Sequence, residues 1–517
     1  MGKKDLRSGH FNSGISRRRF MCAGCAAAAG WLAGPKTLQA ANSTGKMRIR
    51  VVYALHALKQ PKPDWPNLGF DFAPVMESIN NSLTNAFPDI EFLPATARGP
   101  ADANKIVMGD LFSHVDGYLV YQMNTTNVVA PTFAATGKPV LFARLQYAGT
   151  GGFLTLNSLF RRGKARNVGF VCSSSMDDLI AAVKCFDLLK KGGSASDFVA
   201  ATEKARKDRT PGPGELACTA DPLKTLAPEE CLKKAKESRI LAVGYPGVSL
   251  LSLPFIPVTK LEFAELDAAW QAANPDEAKT VAQGWQKRAD KMEDVSLETL
   301  QSSAAMYLGM KGLLKKHGAD AITVNCLNGF YGGKLHAYPC MGFFEFNNQG
   351  LVGACECDVK SAATMLMVNA LTSGRPGYIS DPELDTSQRQ IIYAHCVASN
   401  RPFGPQGPAN PFHIMTHSED RKGASVRSLM PAGYMTTTLE FDPALKQILL
   451  HQAKTLGNDP DDRACRTKLV AEPVGDFEKL FTMWVPWGWH RVTVYGDLKE
   501  PLSALAERMG YQVVQEA

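Results

Sequence analysis

The 517-residue chain has little surplus charge once its first forty residues are set aside. The formal net charge is +7, but residues 1–40 hold seven Lys or Arg against a single Asp, so only +1 remains for the rest of the chain. That remainder carries no basic stripe of the kind that nucleic-acid binding needs. Nucleic acid is therefore excluded as an expected partner.

The sequence also lacks an apolar run that would cross a bilayer in the mature protein. The candidate run, Cys22–Gly34, is shorter than the roughly 20 apolar residues of a spanning helix. It follows Ser16-Arg17-Arg18-Arg19-Phe20 and precedes Leu38-Gln39-Ala40, an order typical of a twin-arginine signal peptide. We expect residues 1–41 to direct the chain to the twin-arginine export machinery and to be removed. The mature protein is then periplasmic or otherwise exported, with no membrane span.

Phosphate-binding loops are missing as well. The cluster Gly149-Thr150-Gly151-Gly152 lacks the G-x-G-x-x-G spacing of a dinucleotide site and the Gly-Lys-Ser/Thr ending of a P-loop. It is more typical of a turn at the edge of a sheet.

A disulfide framework is not expected either. Ten of the twelve cysteines follow residue 40, and several lie in apolar runs that favour free, buried thiols: Cys172, Cys326, Cys340, Cys355 and Cys396. Cys355-x-Cys357 is too closely spaced for a zinc clip and has no complementary pair. Structural zinc is therefore not predicted.

What the chain does contain is alternating strand and helix signals. Residues 47–190 predict an N-terminal α/β domain, because short apolar strands alternate with segments of helical periodicity. Residues 191–235, rich in Lys, Gly and Pro, are interpreted as a linker or excursion. Residues 236–393 predict a second α/β domain, and residues 394–517 a β-rich C-terminal domain with a closing αβ tail. The fold class is thus α/β, with Rossmann-like N-terminal and middle domains followed by the β-rich domain.

The second domain carries the most specific local predictions. Ser296 is an expected N-cap for a helix that ends at His317, before Gly318. The aromatic run Met341–Phe346 predicts a strand, and Val359–Leu371 predicts a helix. Asp358 lies at the start of that second helix, where it suits either a helix cap or a ligand position.

The segment Trp484–Arg491 concentrates three tryptophans, His490 and Arg491. Aromatic faces next to polar groups suit a carbohydrate site, although such runs also occur in cores and interfaces. His413-x-x-x-His417 has a metal-like spacing but is bordered by loop residues, so by itself it is a weak signal.

These residues together resemble the L-fucose/L-arabinose isomerase superfamily. The resemblance covers roughly residues 319–517, and it rests on segments that occur in the family's order: Asp320–Cys326, Pro339-Cys340, Asn348–Val359, Ser373–Pro376, Ala394–Cys396, His417, Pro431–Leu439 and Gly488–Asp497. It implies an aldose–ketose isomerase fold with a divalent metal, usually Mn²⁺, held by two carboxylates and one histidine. It also implies a homo-oligomer in which a neighbouring subunit closes the pocket.

On that resemblance, Asp358 matches one metal carboxylate and His490 matches the histidine, and Asp358 and Glu356 are the candidate acid/base residues. The second carboxylate is expected after the strand Ala321–Cys326, but no Asp or Glu occurs between Asp320 and Glu345. Either Glu356 takes its place, or Glu440 reaches in, or the chemistry has changed. The candidate substrate-binding residues are Trp489, Arg491, Asn328, Glu440 and His417.

The leading hypothesis is a metal-dependent isomerase that converts a monosaccharide or sugar derivative through an ene-diol. Two alternatives stay open. One is a non-catalytic periplasmic carbohydrate-binding relative, and the other is a metal-dependent epimerase or eliminase.

Overall fold

The structure is a computed structural model that describes residues 45–246 and 252–517. The predicted signal peptide, residues 1–41, lies outside the described residues. Within the described part of the chain, no helix combines the length and the apolar character that a membrane crossing requires.

The N-terminal domain is built on a five-stranded parallel sheet with the strand order β2-β1-β3-β4-β5. Its strands are β1 (Met47–Ala54), β2 (Ile90–Ala97), β3 (Gly117–Gln122), β4 (Val140–Arg144) and β5 (Val168–Phe170). Its helices are Ala73–Ala86, Pro100–Ser113, Ala130–Ala134, Thr150–Arg162, Met176–Lys184 and Asp187–Lys190. The central strands β3 and β4 are buried along their whole length, as expected for a parallel sheet covered on both faces.

The glycine cluster at residues 149–152 begins the helix Thr150–Arg162, which follows the carboxyl end of β4. A Cβ added at Gly149 would stand 2.0 Å from the carbonyl oxygen of Gln122, so only glycine fits there. A Cβ at Gly151 would lie 2.6 Å from Thr125 and 3.4 Å from Trp489. The cluster therefore permits close packing of this helix rather than phosphate binding.

The segment 191–235, which the sequence predicted as a linker or excursion, is partly helical. Ala195–Arg209 is a helix with a capping box from Ser194 and Asp197, and Pro228–Glu237 is a second helix. Arg206 joins the first helix to the C-terminal region through an ion pair with Glu478 at 2.7 Å.

The middle domain has a four-stranded parallel sheet with the order β10-β9-β6-β7. Its strands are β6 (Ile240–Val243), β7 (Val258–Leu261), β9 (Ala321–Val324) and β10 (Val352–Ala354), and β8 (Lys291–Glu293) joins a separate small sheet. The helices are Phe263–Gln271, Pro275–Arg288, Leu297–His317, Cys326–Tyr331, Cys340–Asn348 and Val359–Leu371. Ser296 caps Leu297–His317 through the backbone N–H of Thr299, as predicted.

The prediction of a strand at Met341–Phe346 is wrong, because Cys340–Asn348 is a helix. All nine residues of this helix are buried, so no polar face marks the helical period in the sequence. Gly342 lets the helix approach Met310 and Tyr307 closely, since a Cβ there would stand 2.3 Å from the Met310 side chain.

The C-terminal region contains a closed antiparallel barrel of six strands in the order β15-β18-β11-β12-β17-β16, closed by pairing of β15 with β16. The barrel strands are β11 (Tyr378–Asp385), β12 (Gln390–His395), β15 (Met435–Asp442), β16 (Gln447–Asn458), β17 (Thr467–Pro473) and β18 (Arg491–Tyr495). Strand β13 (Phe412–Met415) pairs with β8 on one side and with β14 (Ser425–Ser428) on the other, and β19 (Gln512–Gln515) adds to β16. The remaining helices are Phe477–Phe481, a 3-10 helix, and Trp484–Trp487 and Lys499–Met509.

This architecture agrees with the predicted fold class, two parallel α/β sheets followed by a β-rich region. Strand β11 precedes residue 394, where the sequence predicted the β-rich region to begin, and β12 starts before that residue and ends after it, yet both strands belong to the barrel. This difference matters for the site, because two of its side chains come from these two strands.

Candidate metal centre

Four side chains from distant parts of the chain converge where the barrel meets the middle domain. Glu356, Asp381, His395 and His490 each direct one carboxylate oxygen or imidazole nitrogen to a common point, and these atoms all lie within 4.8 Å of one another. We call this group the acid–histidine cluster. Asp381 and His395 are fully buried, whereas Glu356 and His490 are partly accessible.

The sheet order explains the convergence. Asp381 lies in β11, His395 is the last residue of β12, and His490 directly precedes β18; these three strands are neighbours in the order β18-β11-β12. The register pairs Asp381 with Ala394 and Ser380 with Arg491, so the three side chains lie at one level of the barrel.

Glu356 comes from the middle domain, in the loop between β10 and the helix Val359–Leu371. Glu356 and Cys357 have φ angles of 60° and 53°, in the left-handed region that residues other than glycine rarely adopt. Each such residue costs about 1–3 kcal/mol, and this strain is often found at functional sites. The backbone N–H of Cys357 bonds the carbonyl of Val324 at 2.8 Å, which fixes the loop to the end of β9.

Asp358 lies beside the cluster and performs two tasks. Its Oδ1 accepts from the backbone N–H of Ser361 at 3.1 Å and so caps the helix Val359–Leu371. Its Oδ2 lies 3.0 Å from Nδ1 of His490. Asp358 thus binds His490 through one carboxylate oxygen and caps the helix through the other. It is not one of the four converging groups.

His490 faces both cluster carboxylates with its other nitrogen. Nε2 lies 3.3 Å from Asp381 Oδ1 and 3.7 Å from Glu356 Oε2. Burial by itself disfavours the charged imidazole, but Asp358, Asp381 and Glu356 outweigh it and raise the pKa of His490 well above its ordinary value. The site is therefore strongly attractive to positive charge.

The other predicted site residues are not among the four converging groups. Glu440 is fully buried against the helix Val359–Leu371, where it accepts hydrogen bonds from Ser361 at 3.1 Å and Thr364 at 2.9 Å. Burial raises the pKa of Glu440 to about 7, against the opposing effect of Lys360. Glu440 thus has a partner set of its own within the protein.

Arg491 is also buried, 2.8 Å from Glu516, with its guanidinium 4.4 Å from the centre of the Trp484 ring. Asn328 is exposed on the short helix Cys326–Tyr331, where it donates to Asn325 at 3.0 Å. Neither residue is among the converging groups, so their substrate contacts stay predictions.

His417 lies in a separate buried group with Asp420, at 3.2 Å, and next to the rings of Phe330 and Tyr338. Burial opposes its protonation, but Asp420 and nearby groups raise the pKa of His417 to about 10. Trp489, next to His490, is half-buried against Trp484 and the Gly151 helix.

Sequence reasoning missed Asp381 and His395. The carboxylate that it sought after Cys326 has no counterpart there, whereas Asp381 supplies a second carboxylate from the barrel. One signal was present in the sequence: Asp381, Glu383 and Asp385 alternate along a strand. Three acids on one face of a buried strand need partners, because a buried charge without one is unfavourable.

The donor set fits a divalent cation. Two carboxylates and an imidazole nitrogen form an oxygen-rich site, which favours Mn²⁺, Co²⁺ or Mg²⁺. Zinc is favoured instead by sites rich in sulfur ligands. Glu356, Asp381 and His490 would hold the ion, and the hydrogen bond that Nδ1 of His490 donates to Asp358 would fix the ring, a common arrangement in metal sites.

Part of the chain is similar in sequence to proteins named as sugar isomerases. No family model matches. The chain is 25% identical over 230 residues to a sulfoquinovose isomerase of Clostridium sp. (strain MSTE9). The aligned segment covers 42% of this chain and 49% of that protein. It is 23% identical over 223 residues to a sulfoquinovose isomerase of Priestia aryabhattai, covering 42% and 48%. The chain thus spans about half the length of the curated relatives it matches.

A shorter match, 26% identical over 101 residues, is to a sulfoquinovose isomerase of Alkalicoccus urumqiensis, covering 19% of this chain and 23% of that protein. Among solved structures, a chain described as "XylFII molecule" is 13% identical and covers 64% of this chain and 96% of its own, with a TM-score of 0.15. That score is too low to indicate a shared fold. The sequence relatives therefore agree with the resemblance to sugar isomerases, and the solved structures add nothing to it.

Proposed function

We propose that this protein is a cation-dependent isomerase that interconverts an aldose and a ketose. The observation that carries the proposal is the convergence of Glu356, Asp381 and His490 within one small volume. Similarity to relatives named as sugar isomerases supports the same reaction class.

A divalent cation bound there would polarise the oxygens at C1 and C2 of an open-chain sugar and so acidify the C2 proton. Glu356 is the better placed of the two carboxylates to act as the base, because its side chain is 17% exposed whereas that of Asp381 is 0% exposed. Its carboxylate removes the proton from C2 and returns it to C1. Between these steps the hydroxyl proton of O2 passes to O1 in the ene-diol, so that C1 ends as an alcohol and C2 as a carbonyl.

Sulfoquinovose, a sulfonated hexose, is the first substrate to test, since the relatives are named for it. We also propose that the mature protein is exported and forms a homo-oligomer, as the signal-like N-terminus and the family resemblance led us to expect.

The test is an NMR assay in D₂O with purified protein, Mn²⁺ and either sulfoquinovose or one of a panel of aldoses. We expect deuterium to enter at C2 and a ketose to accumulate. Glu356→Gln and Asp381→Asn should abolish both signals. Asp385→Asn is the matched control, because Asp385 lies in the same strand but binds Ser174 and Ser387 instead.

The outcomes separate the alternatives. Exchange with a C2 epimer and no ketose would indicate an epimerase, and loss of water from the sugar would indicate an eliminase. Sugar binding with no exchange in any variant would contradict the proposal and favour a carbohydrate-binding protein.

A further inference from the structure

A small cavity lies at the carboxyl ends of three neighbouring strands of the N-terminal sheet, β3, β4 and β5. Tyr121 lines it from β3 and Arg144 from β4, and the serine loop 173–175 lines it from the segment that leads into the helix Met176–Lys184. In open α/β sheets, ligands bind outside the carboxyl ends of the strands. The lining contains no residue of the acid–histidine cluster, so the cavity is a separate place in the molecule.

The size of the cavity limits what can occupy it. It leaves about 40 Å³ for the centres of bound water molecules. One water needs about 10–15 Å³ by this measure, so the space accepts about three atoms of that size. This is enough for most of a small ion such as acetate, sulfate or phosphate, and too little for a hexose.

Arg144 is the lining residue that carries a charge, and it is 2% exposed. Its Nη2 donates to the carbonyl of Leu384 at 2.6 Å and lies 2.5 Å from Glu383. Its Nε and Nη1 make no hydrogen bond with the described residues. The thiol of Cys172 is close to the guanidinium, but sulfur is a weak acceptor. Because buried donors normally have partners, these two nitrogens indicate an acceptor in the cavity.

The start of the helix Met176–Lys184 adds further donors. Ser175 occupies the N-cap position, but its hydroxyl does not bond the backbone N–H groups of the first turn. Ser173 holds the loop in shape, since its hydroxyl accepts from the N–H of Ser175 at 3.0 Å and donates to Asp178 at 2.6 Å. The first N–H groups of a helix and its dipole both favour a negatively charged acceptor.

Tyr121 adds a hydroxyl to the same lining. Burial raises the pKa of this phenol to about 12, against the opposing effect of the nearby Arg144. The phenol is therefore neutral near pH 7 and keeps the proton that it can donate. It supplies a donor to the cavity without adding a negative charge.

The carboxylates near the cavity do not line it, and each has a partner. Glu383 pairs with Arg144, and Asp385 accepts from the N–H and the hydroxyl of Ser174 at 3.1 and 2.6 Å. Asp178 forms an ion pair of 2.5 Å with a guanidinium outside the lining. Since Glu383 balances the charge of Arg144, a ligand must be held by hydrogen bonds as well as by charge. Such a site favours an ion with several oxygen acceptors over chloride.

We propose that this cavity binds a small oxyanion, whose oxygens accept from Nε and Nη1 of Arg144, from the hydroxyls of Tyr121 and Ser175, and from the first N–H groups of the helix Met176–Lys184. Arg144 and the serine loop also bond β11, so the ion lies where the N-terminal domain meets the barrel. Its binding stabilises that junction, because it favours the folded chain. The proposal is independent of the sugar reaction.

Selenate is the probe, because it is a tetrahedral oxyanion whose selenium can be located by anomalous diffraction. In crystals of the protein grown with selenate, we expect a selenium peak within hydrogen-bonding distance of Arg144 and Ser175. Calorimetry should detect selenate and phosphate binding in solution, and chloride at the same ionic strength should not compete. A cavity that holds water only would overturn the proposal. A peak in the crystal without binding in solution would show an adventitious ion only and would overturn it as well.

Two single substitutions remove one hydroxyl each and leave the charges of the site in place. Tyr121→Phe and Ser175→Ala should each weaken selenate binding by about 2–10-fold, the range for one neutral hydrogen bond. Tyr118→Phe is the matched control, because Tyr118 belongs to the same strand but faces the other side of the sheet, where it packs against Phe133. Affinity that is unchanged in the first two variants, or reduced equally in the control, would contradict the assigned ligands.

The largest loss is expected when the guanidinium is removed. Arg144→Gln alone would leave Glu383 buried without its counter-charge, so it is combined with Glu383→Gln, which removes both charges together. The folded double variant should bind selenate more than about 10-fold more weakly, since charge-assisted hydrogen bonds are lost. Unchanged affinity would overturn the proposal. If the double variant does not fold, the two hydroxyl substitutions and the selenium position decide the question by themselves.

Discussion

Two of the buried groups of carboxylates and histidines at the C-terminal barrel differ in how their charges are neutralised. One is the acid–histidine cluster. The other, which we call the lumen network, consists of Tyr393, His451, Arg491 and Glu516 inside the barrel. Tyr393 and His451 belong to β12 and β16, which are separated in the sheet by β17, so the contact between them crosses the lumen.

In the lumen network the protein itself supplies every partner. His451 uses both ring nitrogens, one with Glu516 at 2.8 Å and the other with the Tyr393 hydroxyl at 2.8 Å. Arg491 balances Glu516 with a bond of 2.8 Å. The network is compact and closed, as expected for a structural group.

In the acid–histidine cluster the contacts of Nε2 of His490 are longer, and no lysine or arginine belongs to the cluster. Nε2 of His490 lies between two carboxylates at 3.3 and 3.7 Å. Burial and residue type therefore do not distinguish the two groups. The lumen network contains its own guanidinium, whereas the cluster gathers ligand atoms around a point that a cation fits.

The largest stability effect is expected in the lumen network. Burial would raise the pKa of Glu516, but Arg491 and His451 lower it to about 2, so Glu516 is ionised in the fold. Glu516→Gln leaves Arg491 buried without its counter-charge and should cost about 3–5 kcal/mol of unfolding free energy. Denaturant unfolding measures the loss, and Mn²⁺ affinity of the folded variant should be unchanged. A stability equal to that of the unmodified protein would contradict the structural role.

Glu440 should produce the next largest effect, and it should depend on pH. Its pKa is about 7 in the fold, mainly through burial, and close to 4.5 when unfolded. The fold thus favours the protonated acid, a contribution that is fully present below pH 4.5 and is lost as the pH rises toward 7. The advantage of the unmodified protein over Glu440→Gln should fall by about 3 kcal/mol between about pH 5 and pH 8. An advantage that is the same at both pH values would show that Glu440 has no raised pKa.

The smallest effect is expected from the hydroxyl ladder in the same lumen. Thr493 contacts the hydroxyls of Ser380 at 3.0 Å and Thr438 at 3.1 Å. Thr493→Val keeps the shape of the side chain, and Ser380 keeps a bond to the carbonyl of Arg491 at 3.1 Å. We therefore expect a loss of about 1 kcal/mol, measured by thermal unfolding. A loss as large as that of Glu516→Gln would mean that hydroxyl contacts, rather than charges, dominate the lumen.

The sequence predicted those elements whose signals are local. The helix Leu297–His317 has a serine cap, an apolar face and a terminal glycine, and all three are readable within the segment. The helix Cys340–Asn348 was predicted as a strand because every face of it is buried, which removes the alternation that distinguishes the two structures.

The site was predicted only in part, because only some of its residues lie in local motifs that the sequence reveals. Glu356 and His490 lie in motifs that carry the family resemblance, and both are in the cluster. Asp381 and His395 reach it through the pairing of β11 with both β12 and β18, which brings residue 490 next to residues 381 and 395. Asp358 was the natural choice from its position before a helix, and its two hydrogen bonds show how one carboxylate can cap a helix and hold a histidine together.

A Mn²⁺ titration of three proteins tests whether the acid–histidine cluster is a cation site. The unmodified protein and Asp385→Asn should each bind one Mn²⁺ per chain with equal affinity. Asp381→Asn should bind more than about 100-fold more weakly, since it loses a direct ligand rather than a supporting residue. Absence of Mn²⁺ binding by the unmodified protein, or equal affinity in Asp381→Asn, would contradict the account.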